Sequence, residues 1–131
     1  MDKNDFSIRS TDDKEKAERL SDILSKTKSL NGNIFTEPHD YRFTTLLDFD
    51  PQWGLGSSST LINNVAEWAE INPYKLLDST FKGSGYDIAC AKSNHPIFFN
   101  LMKNDPNAIR QNIETANFDP VFKDNLYLVY H

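Results

Sequence analysis

The sequence predicts a two-layer domain of mixed helices and strands, α+β or α/β. Three observations lead there. Ala17, Leu20, Ile23, Leu24 and Leu30 recur at helical spacing. Tyr41, Phe43, Thr45, Leu47 and Phe49 alternate at strand spacing. Three short runs at 96–101, 109–114 and 125–130 then read as strands after a block of helices. A length of 131 residues suffices for one domain with one core. A content of 38% hydrophobic and 25% charged residues is that of an ordinary soluble globular chain.

Taken in order, Phe6-Ser7-Ile8 reads as the end of a strand. Ser10 or Thr11 follows as a helix N-cap, with Asp12 and Asp13 favourably placed in the first turn. Residues 11–30 then form an amphipathic helix, stopped by Asn31-Gly32. The charge run from Asp12 to Arg19 is its solvated face. The alternating run 41–49 packs one face on the core and ends at Pro51. After a glycine- and serine-rich turn, Leu61, Ile62, Val65, Trp68 and Ala69 mark a second helix to about residue 71. Asn72-Pro73 opens a third, with Asn as cap and Pro at the first helical position, carrying Leu76, Leu77 and Phe81. Lys82-Gly83-Ser84-Gly85 is a second turn, and Tyr86 to Ala91 a short apolar helix. There is no internal repeat and no low-complexity tract.

The net charge of −5 argues against general nucleic-acid or membrane-surface binding. It leaves nucleotide binding open, because a local loop can supply the positive potential. The single cysteine, Cys90, forms no internal disulfide, and the polar N-terminus has no apolar run that could be a leader or a membrane span. The lone cysteine and the absence of an N-x-[ST] sequon fit a reducing cytoplasm. Cys90 itself is expected to be a buried small hydrophobe. His39, His95 and His131 lack metal-ligand spacing.

Chemistry is concentrated in two segments. In Trp53-Gly54-Leu55-Gly56-Ser57-Ser58-Ser59-Thr60 a strand runs through a tight turn into a helix. Glycine allows positive φ and close approach of a ligand to the backbone. The first N–H groups of a helix have no internal partner, and the dipole adds positive potential there, so phosphate oxygens fit the turn. Serine hydroxyls add donors, and one can ligate Mg²⁺. The segment is neither a Walker A loop, which needs a lysine, nor G-x-G-x-x-G, since residue 59 is Ser. The plainer reading is a glycine-serine turn with a serine cap.

Gly54-Leu55-Gly56-Ser57-Ser58-Ser59 resembles the second motif of the GHMP kinases, written P-x-x-x-G-L-G-S-S-[AG]-[AS]. Pro51 stands one residue closer than in that pattern, and Ser59-Thr60 replaces the small pair. Gly83-Ser84-Gly85-Tyr86-Asp87-Ile88-Ala89 resembles the G-S-G-[YF]-D-[IV]-A segment of the phosphomevalonate-kinase-like members, and residues 85–89 spell the string for which one bacterial subgroup is named. The resemblance covers most of residues 40–131. It implies an α+β fold like domain 2 of ribosomal protein S5, ATP and Mg²⁺ as cofactors, and transfer of the γ-phosphoryl group to a mevalonate-like or phosphomevalonate-like small molecule.

The resemblance also assigns roles. Gly54, Leu55, Gly56, Ser57, Ser58 and Ser59 would hold the phosphates, with Ser58 on the metal. Gly85 and Tyr86 would border the substrate. Asp87 would orient the acceptor hydroxyl or take its proton; the plainer reading makes Asp87 a helix-start residue. The family's magnesium-binding glutamate has no counterpart, and Asp78 is the nearest acid. Lys82 and Lys92 flank the second motif and could meet an anion, although solvated lysines are commoner. Trp53 and Trp68 are expected to pack, a place near the nucleotide being the alternative for Trp53.

The family's first motif, Gly-Glu-[HY], and its glycine-rich third motif are not found. The resemblance therefore implies a central portion, residues 1–131 being a partial N-terminal domain without the C-terminal one. Such a chain would bind ATP weakly alone. A non-catalytic alternative is a subunit that keeps the anion loop and self-associates through an incomplete sheet, its apolar last strand offering an edge. Nucleic-acid binding through the S5-like fold rests on fold analogy, and the acidic charge counts against it.

Overall fold

A computed structural model describes residues 1–2, 4–38, 40–105 and 108–130; for 102–105 and 108–111 it describes the backbone alone. His39 and His131 lie outside the described residues. The chain is α+β: four helices, α1 (Lys14–Leu30), α2 (Ser57–Trp68), α3 (Pro73–Ser79) and α4 (Tyr86–Ala91), precede a two-stranded antiparallel sheet of β1 (Ile97–Asp105) and β2 (Ala108–Thr115). Single 3-10 turns lie at Pro51–Trp53 and Lys123–Asn125. The fold divides into two compact units, Met1–Leu46 with Leu61–Gly83, and Leu47–Thr60 with Ser84–His131. The division falls inside α2.

In the first unit, α1 starts at Asp13 rather than at Ser10 or Thr11. The Asp13 carboxylate accepts from the Lys16 N–H at 3.0 Å, while the Thr11 hydroxyl accepts from the Asp13 N–H at 3.1 Å. A carboxylate reaches the third amide as well as a hydroxyl and adds charge at the positive end of the dipole. The helix buries Ile23, Leu24 and Thr27; Leu20 and Leu30 stay exposed at its rim. Its Thr27 hydroxyl is satisfied by the Ile23 carbonyl at 2.7 Å. α3 is capped as its sequence predicts, Asn72 accepting from the Tyr74 N–H at 2.9 Å with Pro73 in the first turn. It ends at Ser79, so Phe81 lies beyond it. α1 and α3 pack together through the buried Leu76 and Leu77 side of α3.

Two strand expectations fail in this unit. Phe6 takes φ 56°, turning the chain so that its carbonyl accepts from the Ser21 hydroxyl at 2.8 Å and its ring packs with Phe35 and Leu24. A left-handed residue cannot continue a strand. Residues 41–46 carry no ladder. Tyr41 and Phe43 do share a face, stacking at 6.3 Å, but that face lies on an aromatic cluster: Phe43 on Trp68 at 4.8 Å, Phe35 on Trp68 at 5.3 Å, Phe6 on Phe35 at 5.2 Å. Alternation reports which side chains share a face; a strand also needs a backbone partner.

α2 leaves this core through a helix stop with Glu70 at φ 54°. The Ile71 N–H reaches the Ala66 carbonyl at 2.9 Å and the Glu70 N–H the Glu67 carbonyl at 3.2 Å. This is the Schellman arrangement, in which glycine is the usual left-handed residue. The Asn31 side-chain amide donates to the Ala69 carbonyl at 2.9 Å, tying the end of α1 to the end of α2.

In the second unit, Ile88 and Ala89 of α4 are buried, as is Ala116 just past β2. The hairpin pairs Ile97 with Thr115, Phe99 with Ile113 and Leu101 with Gln111, so one face carries Ile97, Phe99, Leu101 and Ile113. The expected strand at 125–130 does not form: Lys123–Asn125 makes a 3-10 turn, and Leu126 to Tyr130 run on with no strand partner among the described residues. A strand also does not lead into the 54–59 turn. Asp50 caps the Pro51–Trp53 turn instead, its carboxylate accepting from the Gln52 N–H at 2.9 Å. Cys90 is exposed, correcting the expectation of burial. α4 is only six residues long, and its buried side is already filled by Ile88 and Ala89.

Candidate functional site: the glycine-serine loop and Asp87

Residues 54–59 form the loop that their sequence describes. Gly54, at φ 71° and ψ 20°, ends the 3-10 turn, and Gly56, at φ 73°, precedes α2. Both occupy the left-handed region, where a side chain is disfavoured. The first bond back into the helix runs from the Thr60 N–H to the Gly56 carbonyl at 3.0 Å. The amides of Ser57, Ser58 and Ser59 are therefore the outward-facing donors of this helix end. The first turn of α2 has no acidic residue, Ser58 is exposed, and Ser57 and Ser59 are half-buried. The Thr60 hydroxyl turns back to the Gly56 carbonyl at 3.2 Å, leaving the three serine hydroxyls as the side-chain donors of the turn.

The two sequence motifs meet here, within one compact unit. A β-carbon placed on Gly56 would lie 3.4 Å from Cγ of Asp87 and 3.5 Å from its Oδ1. At Gly54 the same addition meets nothing within 4 Å. So Gly54 is a glycine for its backbone angle, whereas Gly56 is one for its angle and also leaves open the space in which a β-carbon would reach van der Waals range of a carboxylate. That carboxylate is half-buried.

Asp87 reaches this position from the start of α4. Gly85 is the cap residue, buried and left-handed at φ 80°, and its carbonyl accepts from the Ile88 and Ala89 N–H groups at 3.1 and 3.2 Å. Ile88 and Ala89 anchor the turn in the core, which leaves Tyr86 and Asp87 on its outer side. The Tyr86 hydroxyl donates to the Asp87 carboxylate. That hydrogen bond, with the nearby negative charge, holds the phenol above its ordinary 10.0. Tyr86 is exposed.

Beside this pair lies an open hollow of about 480 Å³, lined by Ser84, Tyr86, Phe99, Asn100 and Leu101. Phe99 and Leu101 come from one face of β1. Their alternation was legible in the sequence; that this face turns toward the Tyr86 turn was not. The stacking of Trp53 on Tyr130, centroids 5.0 Å apart, also went unread. No local pattern links residues so far apart along the chain.

Asp78 is exposed on α3 and belongs to the other compact unit. Lys82 and Lys92 are exposed, and Lys123 is paired with Asp119 at 2.7 Å. Residues 47–60 contain Asp48 and Asp50 and no basic residue. Within this segment, attraction for an anion would come from amides, hydroxyls and the dipole of α2. Among the described residues no three His, Cys, Asp or Glu side chains group as a metal cage. Mg²⁺ in phosphoryl-transfer sites is bound by one or two carboxylates, or by a loop hydroxyl and a carboxylate, together with substrate phosphates; the donors here would be the exposed Ser58 hydroxyl and, beside Gly56, the Asp87 carboxylate. Among the described residues no helix is long and apolar enough to cross a membrane.

Comparisons with protein-family models, with curated proteins and with solved structures found no match for this chain.

Proposed function

We propose that this chain carries the phosphate and acceptor sites of a GHMP-type small-molecule kinase. The observation that carries the reading is the approach of Gly56 to Asp87, two residues drawn from separate sequence motifs, at 3.4 Å measured from a β-carbon on Gly56. In this reading the amides of residues 57–59 and the Ser57 and Ser58 hydroxyls hold the phosphates of ATP. Asp87 lies on the acceptor side, where it orients a hydroxyl and takes its proton as the bond to the γ-phosphorus forms and ADP leaves. Gly85 and Tyr86 border the acceptor, which is mevalonate-like or phosphomevalonate-like. Mg²⁺, held by Ser58 and the phosphates, would neutralise charge on the transferred group. The finer fold in this proposal is that of ribosomal protein S5 domain 2.

The test is phosphoryl transfer from labelled ATP with Mg²⁺ to a panel of hydroxy acids and phosphorylated alcohols. It is run on this chain and on a longer chain containing it. Asp87→Ala should cost at least about a hundredfold in rate, as removal of a general base does. A loss within about threefold would reject the base role, and absence of ATP binding in both chains would reject the kinase.

A second reading is favoured by a specific observation. Leu126, Tyr127, Leu128, Val129 and Tyr130 are all more than half exposed. Such an exposed apolar run suits a non-catalytic subunit that keeps the anion loop and pairs through it. Light scattering after size-exclusion chromatography separates the two readings. A monomer across a hundredfold range of concentration would sink the pairing version.

A further inference from the structure

Trp53 closes the 3-10 turn directly before the loop, and its half-buried ring lies under Tyr130. The two rings are 5.0 Å apart at 26°, close to parallel, whereas most aromatic contacts in the other unit are edge-on or tilted. Near-parallel stacking is the geometry a flat heteroaromatic ring takes on an indole. Tyr130 is not part of a packed core. It is 55% exposed, and Tyr127 and Val129 of the same segment are 82% and 78% exposed. The segment has no strand partner among the described residues. Here one ring rests on a platform next in the chain to Gly54.

We propose that Trp53 is a stacking platform for a purine ring, and that Tyr130 occupies it until a nucleoside displaces it. The phosphate half of this idea rests on the kinase reading; the platform stands on the ring geometry alone. An indole offers the largest side-chain π-face, and stacking on it tolerates many bases because every base has such a face. Tyr130 is tethered, so it competes at a fixed effective concentration and weakens nucleoside binding without blocking it. Its removal should therefore tighten binding rather than abolish it.

The test is equilibrium dialysis of the full chain with two probes, adenosine and inorganic tripolyphosphate. Tyr130→Ala should bind adenosine about three- to tenfold more tightly than wild type, the factor a single aromatic pair represents. Trp53→Ala should weaken adenosine at least about tenfold and leave tripolyphosphate unchanged. Trp53→Phe, which keeps a smaller platform, should fall between. Circular dichroism confirms that each variant folds; should Trp53→Ala not fold, Trp53→Phe and Tyr130→Ala decide. Adenosine affinity indifferent to Trp53, or no tightening in Tyr130→Ala, would overturn the proposal. Tripolyphosphate binding without adenosine binding removes the platform and spares the loop. Adenosine binding at Trp53 without tripolyphosphate binding does the reverse.

Discussion

Replacing Gly56 with alanine probes the junction of the two motifs, and replacing Gly54 provides its control. Both residues are left-handed, at φ 73° and 71°. An L-residue in that region costs about 1–2 kcal/mol, and the reduced freedom of the unfolded alanine chain returns about 0.4–1 kcal/mol. Each variant should thus lose roughly 1 kcal/mol of stability, a factor of about five in the folding equilibrium. Beyond this shared cost the two differ. At Gly54 the new methyl meets open space. At Gly56 it stands 3.4 Å from Cγ of Asp87, an ordinary contact that needs no large shift but fills the gap between loop and carboxylate. Urea unfolding followed by tryptophan fluorescence reads the common term. Resonances of Tyr86, the hydrogen-bond partner of Asp87, read the specific one, by ¹³C NMR of labelled tyrosine. Both variants should shift the unfolding midpoint alike, and only Gly56→Ala should move the Tyr86 signals. If Gly54→Ala moves them equally, or Gly56→Ala leaves them in place, the loop and Asp87 are not in contact and the proposed site dissolves.

Asp87→Asn should bring the Tyr86 phenol down toward 10.0, since its hydrogen bond to a carboxylate and the nearby charge are what raise it; ultraviolet titration against Tyr86→Phe reads this. Because the folded value is the higher one, the pair's contribution to stability is present below about pH 10 and is lost as pH rises through the folded value. Asp13 shows the opposite sign. Hydrogen bonds from the Lys16 backbone and side chain hold it below its ordinary 3.8, so its contribution to α1 is present above pH 3.8 and is lost as pH falls through the lower, folded value. Helix content measured by circular dichroism between pH 5 and 2 should fall less steeply in Asp13→Asn, which keeps a cap but does not titrate. Glu70→Gly should stabilise the chain by about 0.5–1 kcal/mol in urea unfolding, because glycine holds the φ of 54° without the strain of a side chain. A neutral or destabilising result would mean that the Glu70 side chain makes a contact that outweighs the strain.

Much of this protein was legible along the chain because it depends on near neighbours. Asn72-Pro73 announced α3, Tyr86 to Ala91 announced α4, and the runs at 96–101 and 109–114 announced two strands, though not their pairing, since caps and periodicity act within a few positions. The positive φ of Gly54, Gly56 and Gly85 was likewise implied by residue type. Failures came where the outcome depended on a distant partner. Residues 41–46 and 126–130 have strand-like side chains but found no ladder, because Trp68 and solvent, rather than a neighbouring backbone, met them. Cys90 faces out because a six-residue helix has only one side to bury. The glycine-serine loop was local and could be read directly. Its meeting with Asp87, across the length of α2 and α3, was decided by tertiary packing alone: burial of Ile88 and Ala89 fixes which side of the α4 turn faces Gly56.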